Sequence, residues 1–246
     1  MPAPYLHLIQ YDAEPAHEDA YDRWYNHHIL NVLQQPGYTW SSRYVSLKLG
    51  SPDTEIRNLT MHIVTEAKGF DVVLNQNEQS RPKALTEDQA TFAKLPGVRY
   101  VHSGIFEQVA GSNLGKPLLQ GNNCVLITLT DVTPGKGQEW CRWIAEEEFP
   151  VALEDPRVLM TGLFRAVEGF IPSWLVQCPR YLAIYELAGE EAARSLTDPK
   201  QMNPAIKRLV ASPGFKPAIA MRQRQLRLFY KPISQHWSYW KAAESH

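Results

Sequence analysis

Apolar positions along this chain follow two spacings that alternate in a regular order. Residues 5–11 are rich in strand formers. Residues 18–33 then switch to helical spacing, with Tyr21, Trp24, Tyr25, His28 and Val32 recurring on one face. Pro36-Gly37 stops that helix, because proline cannot continue it and glycine relieves its end. Strands are expected over 38–47 and 58–65, with turn residues Gly50-Ser51-Pro52-Asp53 between them. A more polar helical region covers 70–95, broken near Pro82, and Pro96-Gly97 leads into a strand over 98–109. The predicted order is β-α-β-β-α-β.

After a polar, glycine-rich stretch the order returns. Strands are expected at 124–132, 157–167, 181–187 and 217–229, with helices at 137–153 and at 190–211, the latter broken near Pro199 and Pro204. The period is roughly 120 residues, too long for a solenoid and right for a doubled domain. The chain therefore divides into a first unit (1–112), a linker (113–123), a second unit (124–230) and a C-terminal tail (231–246). The tail's Trp237, Tyr239 and Trp240 suggest docking onto the body, since a free tail is usually polar.

Each unit has the split βαβ, or ferredoxin-like, order, which places both helices on one face of a four-stranded sheet. The expected fold class is α+β: tandem ferredoxin-like units packed sheet to sheet within one chain as an α+β barrel.

Composition narrows the function classes. The 246 residues are 44% hydrophobic and 21% charged, with formal net charge -1. That leaves no basic footprint for nucleic acid. No apolar run approaches the ~18 residues that span a membrane. Three cysteines, Cys124, Cys141 and Cys178, make no disulfide framework. With no basic, apolar leader after Met1, a cytoplasmic location is expected.

Histidine is the candidate chemistry. His28 sits late in the first helix and suits proton transfer near neutral pH; the alternative is a helix-capping imidazole. His27 points about a hundred degrees away and is expected to be exposed. On the strands, Leu6, Leu8, Leu59, Met61, Ile63, Val101 and Ile105 form the aliphatic parity, expected to pack under the helices. The other parity carries His7, Tyr11, His62, Tyr100, His102 and Phe106. In strand order 4-1-3-2, His7, His62 and His102 would share the face turned to the other unit. They could contact a substrate, bind a metal or simply form a polar interface. Tyr181, Ala183, Tyr185, Ala220 and Arg222 form the corresponding face of the second unit. Arg43 and Arg165 hold similar places in the second strand of each unit, suited to an anionic substrate or to a salt bridge. Trp40 either walls a pocket or belongs to the core. No dinucleotide, phosphate-loop or nucleophile-elbow motif is present.

Trp24, Tyr25, His28 and Ile29, then Pro36-Gly37-Tyr38 and Arg43-Tyr44, resemble the motif of EthD-like members of the dimeric α+β barrel superfamily. The segment 180–187 resembles a strand common in that group. The resemblance implies a fused version of a dimer of small units and a functional role for His28. The superfamily holds decarboxylases, cyclases, isomerases, cofactor-free monooxygenases and haem proteins, so it implies a fold more firmly than a reaction. The second unit departs from the motif. The place of His28 falls on Glu148, eight residues before Pro156, but Trp143 lies five before Glu148 where Trp24 lies four before His28.

The expectation is a cofactor-independent lyase or isomerase acting on a small aromatic or polyketide-like carbonyl compound. His28 would move a proton, and His62 and His102 would polarise the carbonyl. His7, Tyr11, Trp40, Arg43, Tyr100 and Tyr185 would contact the substrate, with no resident metal. The alternatives are a haem- or metal-dependent oxidoreductase, and a non-catalytic binder of a hydrophobic molecule. A homodimer of the whole chain stays open.

Overall fold

The structure is a computed structural model that describes residues 5–49, 55–66, 69–70, 82–111, 123–169, 178–233 and 238–240. The linker at 113–123 lies outside these residues apart from Asn123, as does Trp237 of the tail.

The first half runs β1 (Tyr5–Ala13), α1 (Glu18–Leu33), β2 (Tyr38–Ser46), β3 (Asn58–Val64), α2 (Lys83–Phe92) and β4 (Val98–Gly111). The second half opens with β5 (Cys124–Val132). A helical run follows: α3 (Gly137–Trp143), a π-helical turn (Ile144–Glu148) and α4 (Phe149–Leu153). Then come β6 (Val158–Ala166), β7 (Tyr181–Leu187), α5 (Glu190–Ser195), α6 (Pro204–Ala211), α7 (Phe215–Ala220) and β8 (Arg222–Pro232). The expected strand over 217–229 thus starts later: 215–220 is a helix, and Ala220 is not a strand residue.

Strand order within the first half is β4-β1-β3-β2, and within the second β8-β5-β7-β6. The halves are joined by hydrogen bonds at two seams, β4 to β6 and β8 to β2, so the eight strands close on themselves. Every pairing is antiparallel. A short β9 (Ser238–Trp240) extends the β8 side of the seam, with Trp240 opposite Trp40 and Tyr239 opposite Ser41. The backbone of 238–240 thus lies against β2.

The closed sheet has two apolar regions in the first half. On β1 and β3 they are the reverse of the sequence expectation, while on β4 Ile105 lies under the helices and Phe106 in the barrel as expected. Leu6, Leu8, Leu59, Met61 and Ile63 point into the barrel, where they meet Val125, Ile127, Leu129, Leu182, Ile184 and Leu228 of the second half. A barrel of this size is filled by side chains from its own strands, which favours branched aliphatics. The helix-covered face instead holds Tyr11, Tyr21, Tyr25, Ile29, Val32, Tyr38, Val64, Phe70, Leu85 and Ile105. The second half has its own helix-covered cluster, with Trp140, Trp143, Phe149, Tyr181, Ala183 and Tyr185.

Two register shifts refine which side each residue takes. Between Gln10 and Tyr11 the β1–β4 pairing slips by one, so His102 opposes Gln10 while Tyr100 opposes Tyr11. Tyr100 and His102 share sequence parity yet lie on opposite faces, as a β-bulge dictates. The same occurs on β2, where a shift between Tyr38 and Trp40 leaves Tyr38 under the helices and Trp40 in the barrel.

Candidate functional site between the first helix and the sheet

α1 lays Tyr21, Tyr25, Ile29 and Val32 on the sheet, at the three- and four-residue steps of one helix face. The same face carries His28 at its margin, with its side chain 17% exposed. His27 is exposed, as its angular position requires.

The feature that the sequence reading missed is Asp88 on α2. Its Oδ2 accepts from His28 Nδ1 at 3.0 Å and from Asn31 Nδ2 at 2.9 Å. Its backbone carbonyl accepts from Trp24 Nε1 at 2.9 Å. Trp24 also stacks on the His28 ring, with centroids 4.7 Å apart. Burial alone would raise the pKa of Asp88, but the hydrogen bonds from His28 and Asn31 hold it below the usual carboxylate value. A signal was present in the sequence: Leu85, Asp88 and Phe92 share one face of α2, so a carboxylate interrupts an apolar stripe.

Behind His28 the sheet presents His7 and His62 from neighbouring strands, directly opposite each other. Their ring centroids are 5.4 Å apart, and both residues are 2% exposed. The Tyr38 hydroxyl lies 3.5 Å from His7 Nδ1, and which of the two donates depends on the His7 tautomer. His7 Nε2 and His62 Nδ1 are buried without a hydrogen-bond partner among the described residues. Burial, and then the neighbouring His28, lower the pKa of His7 to about 3. Burial with His7 and His28 pushes His62 down as well. Both rings are therefore neutral at physiological pH.

His102 does not join them. It lies in the barrel, with Nδ1 3.1 Å from Gln10 Oε1 and Nε2 3.5 Å from Arg224. Gln10 in turn donates to the Tyr230 hydroxyl at 3.0 Å, which donates to the Ile56 carbonyl at 2.9 Å. The shared histidine face expected from sequence is thus divided: His7 and His62 on the helix side, His102 inside. Trp40 is likewise a barrel residue, fully buried. Tyr185 lies under the helices of the second half, and so do Tyr181 and Ala183, rather than on a face between the halves.

Arg43 is 1% exposed and its guanidinium is occupied. It donates to the Tyr11 hydroxyl at 3.0 Å, to Asn26 at 3.4 Å and to Asp22 in a very short contact, and it lies over the Tyr25 ring. Burial works against its charge, but Tyr11 and Asp22 more than compensate. Arg43 ties β2 to α1. Tyr100 packs on Phe92 of α2, closing the tyrosine cluster formed with Tyr11, Tyr21 and Tyr25.

The chemistry on offer is a histidine oriented by a carboxylate beside two neutral imidazoles with free nitrogens. Among the described residues no three His, Cys, Asp or Glu side chains converge as a metal site. Within those residues no donor set is assembled that would hold a metal by protein ligands alone. Haem needs only an axial donor, and His28 Nε2 is the nitrogen here that could serve as one.

No family model matches the chain, and no curated protein matches it. Solved structures do. An anthrone oxidase-like protein superposes with TM-score 0.66 at 9% identity, covering 98% of this chain and 94% of its own. A candidate monooxygenase from Fusobacterium nucleatum gives TM-score 0.57 at 12% identity, covering 98% and 99%. A chlorite dismutase from Candidatus Nitrospira defluvii, solved with imidazole, gives 0.54 at 8%, covering 95% and 92%. With the closed antiparallel sheet and its helices outside, these similarities establish the fold: the chain is an α+β barrel of the dimeric α+β barrel type.

Proposed function

We propose that this chain is a small-molecule enzyme whose reaction begins with proton transfer by His28 on an aromatic carbonyl compound. The carrying observation is the His28 Nδ1–Asp88 Oδ2 hydrogen bond of 3.0 Å, which leaves His28 Nε2 free. A carboxylate on one ring nitrogen fixes the tautomer in which the other accepts a proton. His28 would take a proton from carbon next to the carbonyl. The resulting enolate oxygen would be held by His7 Nε2 in the tautomer that carries the ring proton there, with His62 beside it. Phe70 packs on His7, Tyr38 on His62 and Trp24 on His28, and these aromatic rings would favour a flat substrate.

Dehydration or cyclisation would follow from such an enolate. Decarboxylation of a β-keto acid would form the same enolate by loss of CO2, with His28 then returning a proton to carbon, which keeps the lyase or isomerase reading. The EthD-like likeness of 24–44 belongs to the same proposal, since Trp24 and His28 both bond Asp88 and the Tyr25 ring packs on both of them. The anthrone oxidase-like neighbour motivates tricyclic aromatic ketones as the first compounds to try. In the haem reading, His28 would hold the group, and the group would supply the redox chemistry.

The test is a panel of aromatic ketones and β-keto acids incubated with purified protein and followed by mass spectrometry, with an absorption spectrum of the same sample. Turnover by a colourless, metal-free preparation that is lost in His28→Gln supports the proposal. Undiminished turnover in that variant overturns it, and a haem spectrum lost in that variant selects the oxidoreductase.

A further inference from the structure

The second half carries a constellation that the proposed reaction does not use, at the place corresponding to His28. The helical run 137–153 contains a π-helical turn at Ile144–Glu148, closed by Phe149 N–H donating to the Ile144 carbonyl five residues back. A π turn accommodates one extra residue per turn. Trp143 and Glu148 are five apart, a spacing that a π turn brings towards the same side of the helix, as four residues of α-helix do for Trp24 and His28. The irregular helix therefore restores Glu148 to the sheet-facing position that the sequence spacing alone would have rotated away.

There Glu148 meets two other elements. The Tyr185 hydroxyl on β7 donates to Glu148 Oε1 in a very short hydrogen bond, and Arg222 on β8 lies 3.5 Å from Oε2. Arg222 Nη1 donates to Gln225 Oε1 at 3.0 Å, and its Nε is buried with no hydrogen-bond partner among the described residues. The charged and titratable groups that act on Glu148 among the described residues are Tyr185, Arg222 and Arg227. Two cations face one carboxylate, so the place has room for a second negative charge. Solvent reaches it, with the Glu148 and Arg222 side chains 21% and 17% exposed. Phe149 stands edge-on to Tyr185 at 5.6 Å, and Ala183 adds little bulk to the sheet alongside.

We propose that the second half holds its own ligand site, in which Arg222 binds the carboxylate of a small aromatic acid and Glu148 takes up a proton as the acid enters. The incoming carboxylate replaces Glu148 on Arg222 and uses the free Nε for a second, parallel hydrogen bond. Glu148, no longer opposite a cation, accepts a proton from solvent and stays bonded to Tyr185. Burial already pushes its pKa up, against the pull of Tyr185 and the two arginines. The ring of the acid rests against Phe149. This site stands independently of the role given to His28.

Calorimetric titration of the full chain with benzoate, at pH 5.5 and 7.5 and in buffers of different ionisation enthalpy, tests it. Saturable binding is expected, tighter at the lower pH, with uptake of about one proton per benzoate. Arg222→Gln should weaken binding by about tenfold or more, through loss of the charge-assisted pair. Glu148→Gln should bind equally at both pH values and take up no proton. His28→Gln should bind as the parent does. Absence of saturable binding at both pH values overturns the proposal, as does proton uptake that persists in Glu148→Gln. Loss of binding in His28→Gln would place the acid in the first half and overturn it too. If Arg222→Gln does not fold, Glu148→Gln decides.

Discussion

His7 and His62 face each other across neighbouring strands, with ring centroids 5.4 Å apart, and both are buried as neutral imidazoles. Their folded-state pKa values lie below that of a free histidine, near 6.5, with His7 at about 3. Between those values the unfolded chain binds more protons than the folded one. Stability contributed by the neutral rings is therefore full above pH 6.5 and falls as pH drops towards 3. Each ring should add a slope of about 1.4 kcal/mol per pH unit across its window. Urea unfolding at stepped pH values measures it, and His7→Gln should reduce the slope by about one proton's worth. A slope unchanged by that substitution would mean that His7 is not buried neutral.

Asp88→Asn keeps the shape of the site but removes the charge opposite His28. Turnover is expected to fall by about 10²-fold, mainly in kcat, because the ring loses its fixed tautomer rather than its substrate contacts. The pH profile of the residual activity should also shift, a change that a purely structural role for Asp88 would not produce. Loss of the charge-assisted hydrogen bonds should cost about 1.5–3 kcal/mol of stability.

Leu8 is fully buried in the barrel, in the cluster that also contains Ile127 and Leu182 from the other half. Leu8→Ala should cost about 2–5 kcal/mol. Because the core is shared, both halves should melt together. Calorimetry of this variant is expected to show one transition at lower temperature. Two separated transitions would show that the halves unfold independently.

Arg43→Met removes the guanidinium that Tyr11, Asn26 and Asp22 share. Asp22 is partly open to solvent, which limits the penalty, and a loss of about 1–3 kcal/mol is expected. Chemical denaturation measures it. A catalytic effect larger than the stability change would return Arg43 to the substrate-contacting role expected from sequence.

Most element positions could be read in the sequence because glycine and proline punctuate them. Pro36-Gly37 ends the first helix as expected, and Gly37 adopts φ 79°, a conformation that other residues rarely take. Which face of each strand would meet the helices could not be read the same way. β3 and β7 are buried along their whole length, so both parities look internal. On β1 and β3 the more aliphatic parity fills the barrel, and the tyrosine- and histidine-bearing one lies under α1. Sequence parity also cannot follow a bulge, which is why Tyr100 and His102 part company. The Trp143–Glu148 spacing registered as a mismatch, but only the π turn shows how the backbone absorbs it. Asp88 is far from His28 in sequence and only the packing of α2 on α1 joins them.

The two seams have a consequence for anyone who would divide the molecule. A cut between Gly111 and Cys124 leaves one fragment with β2 and β4 bare, and the other with β6 and β8 bare. Unpaired rims of this kind invite pairing with any strand at hand. Mixed in equal amounts, the fragments should find each other and rebuild the tube; alone, each should pair with copies of itself or precipitate.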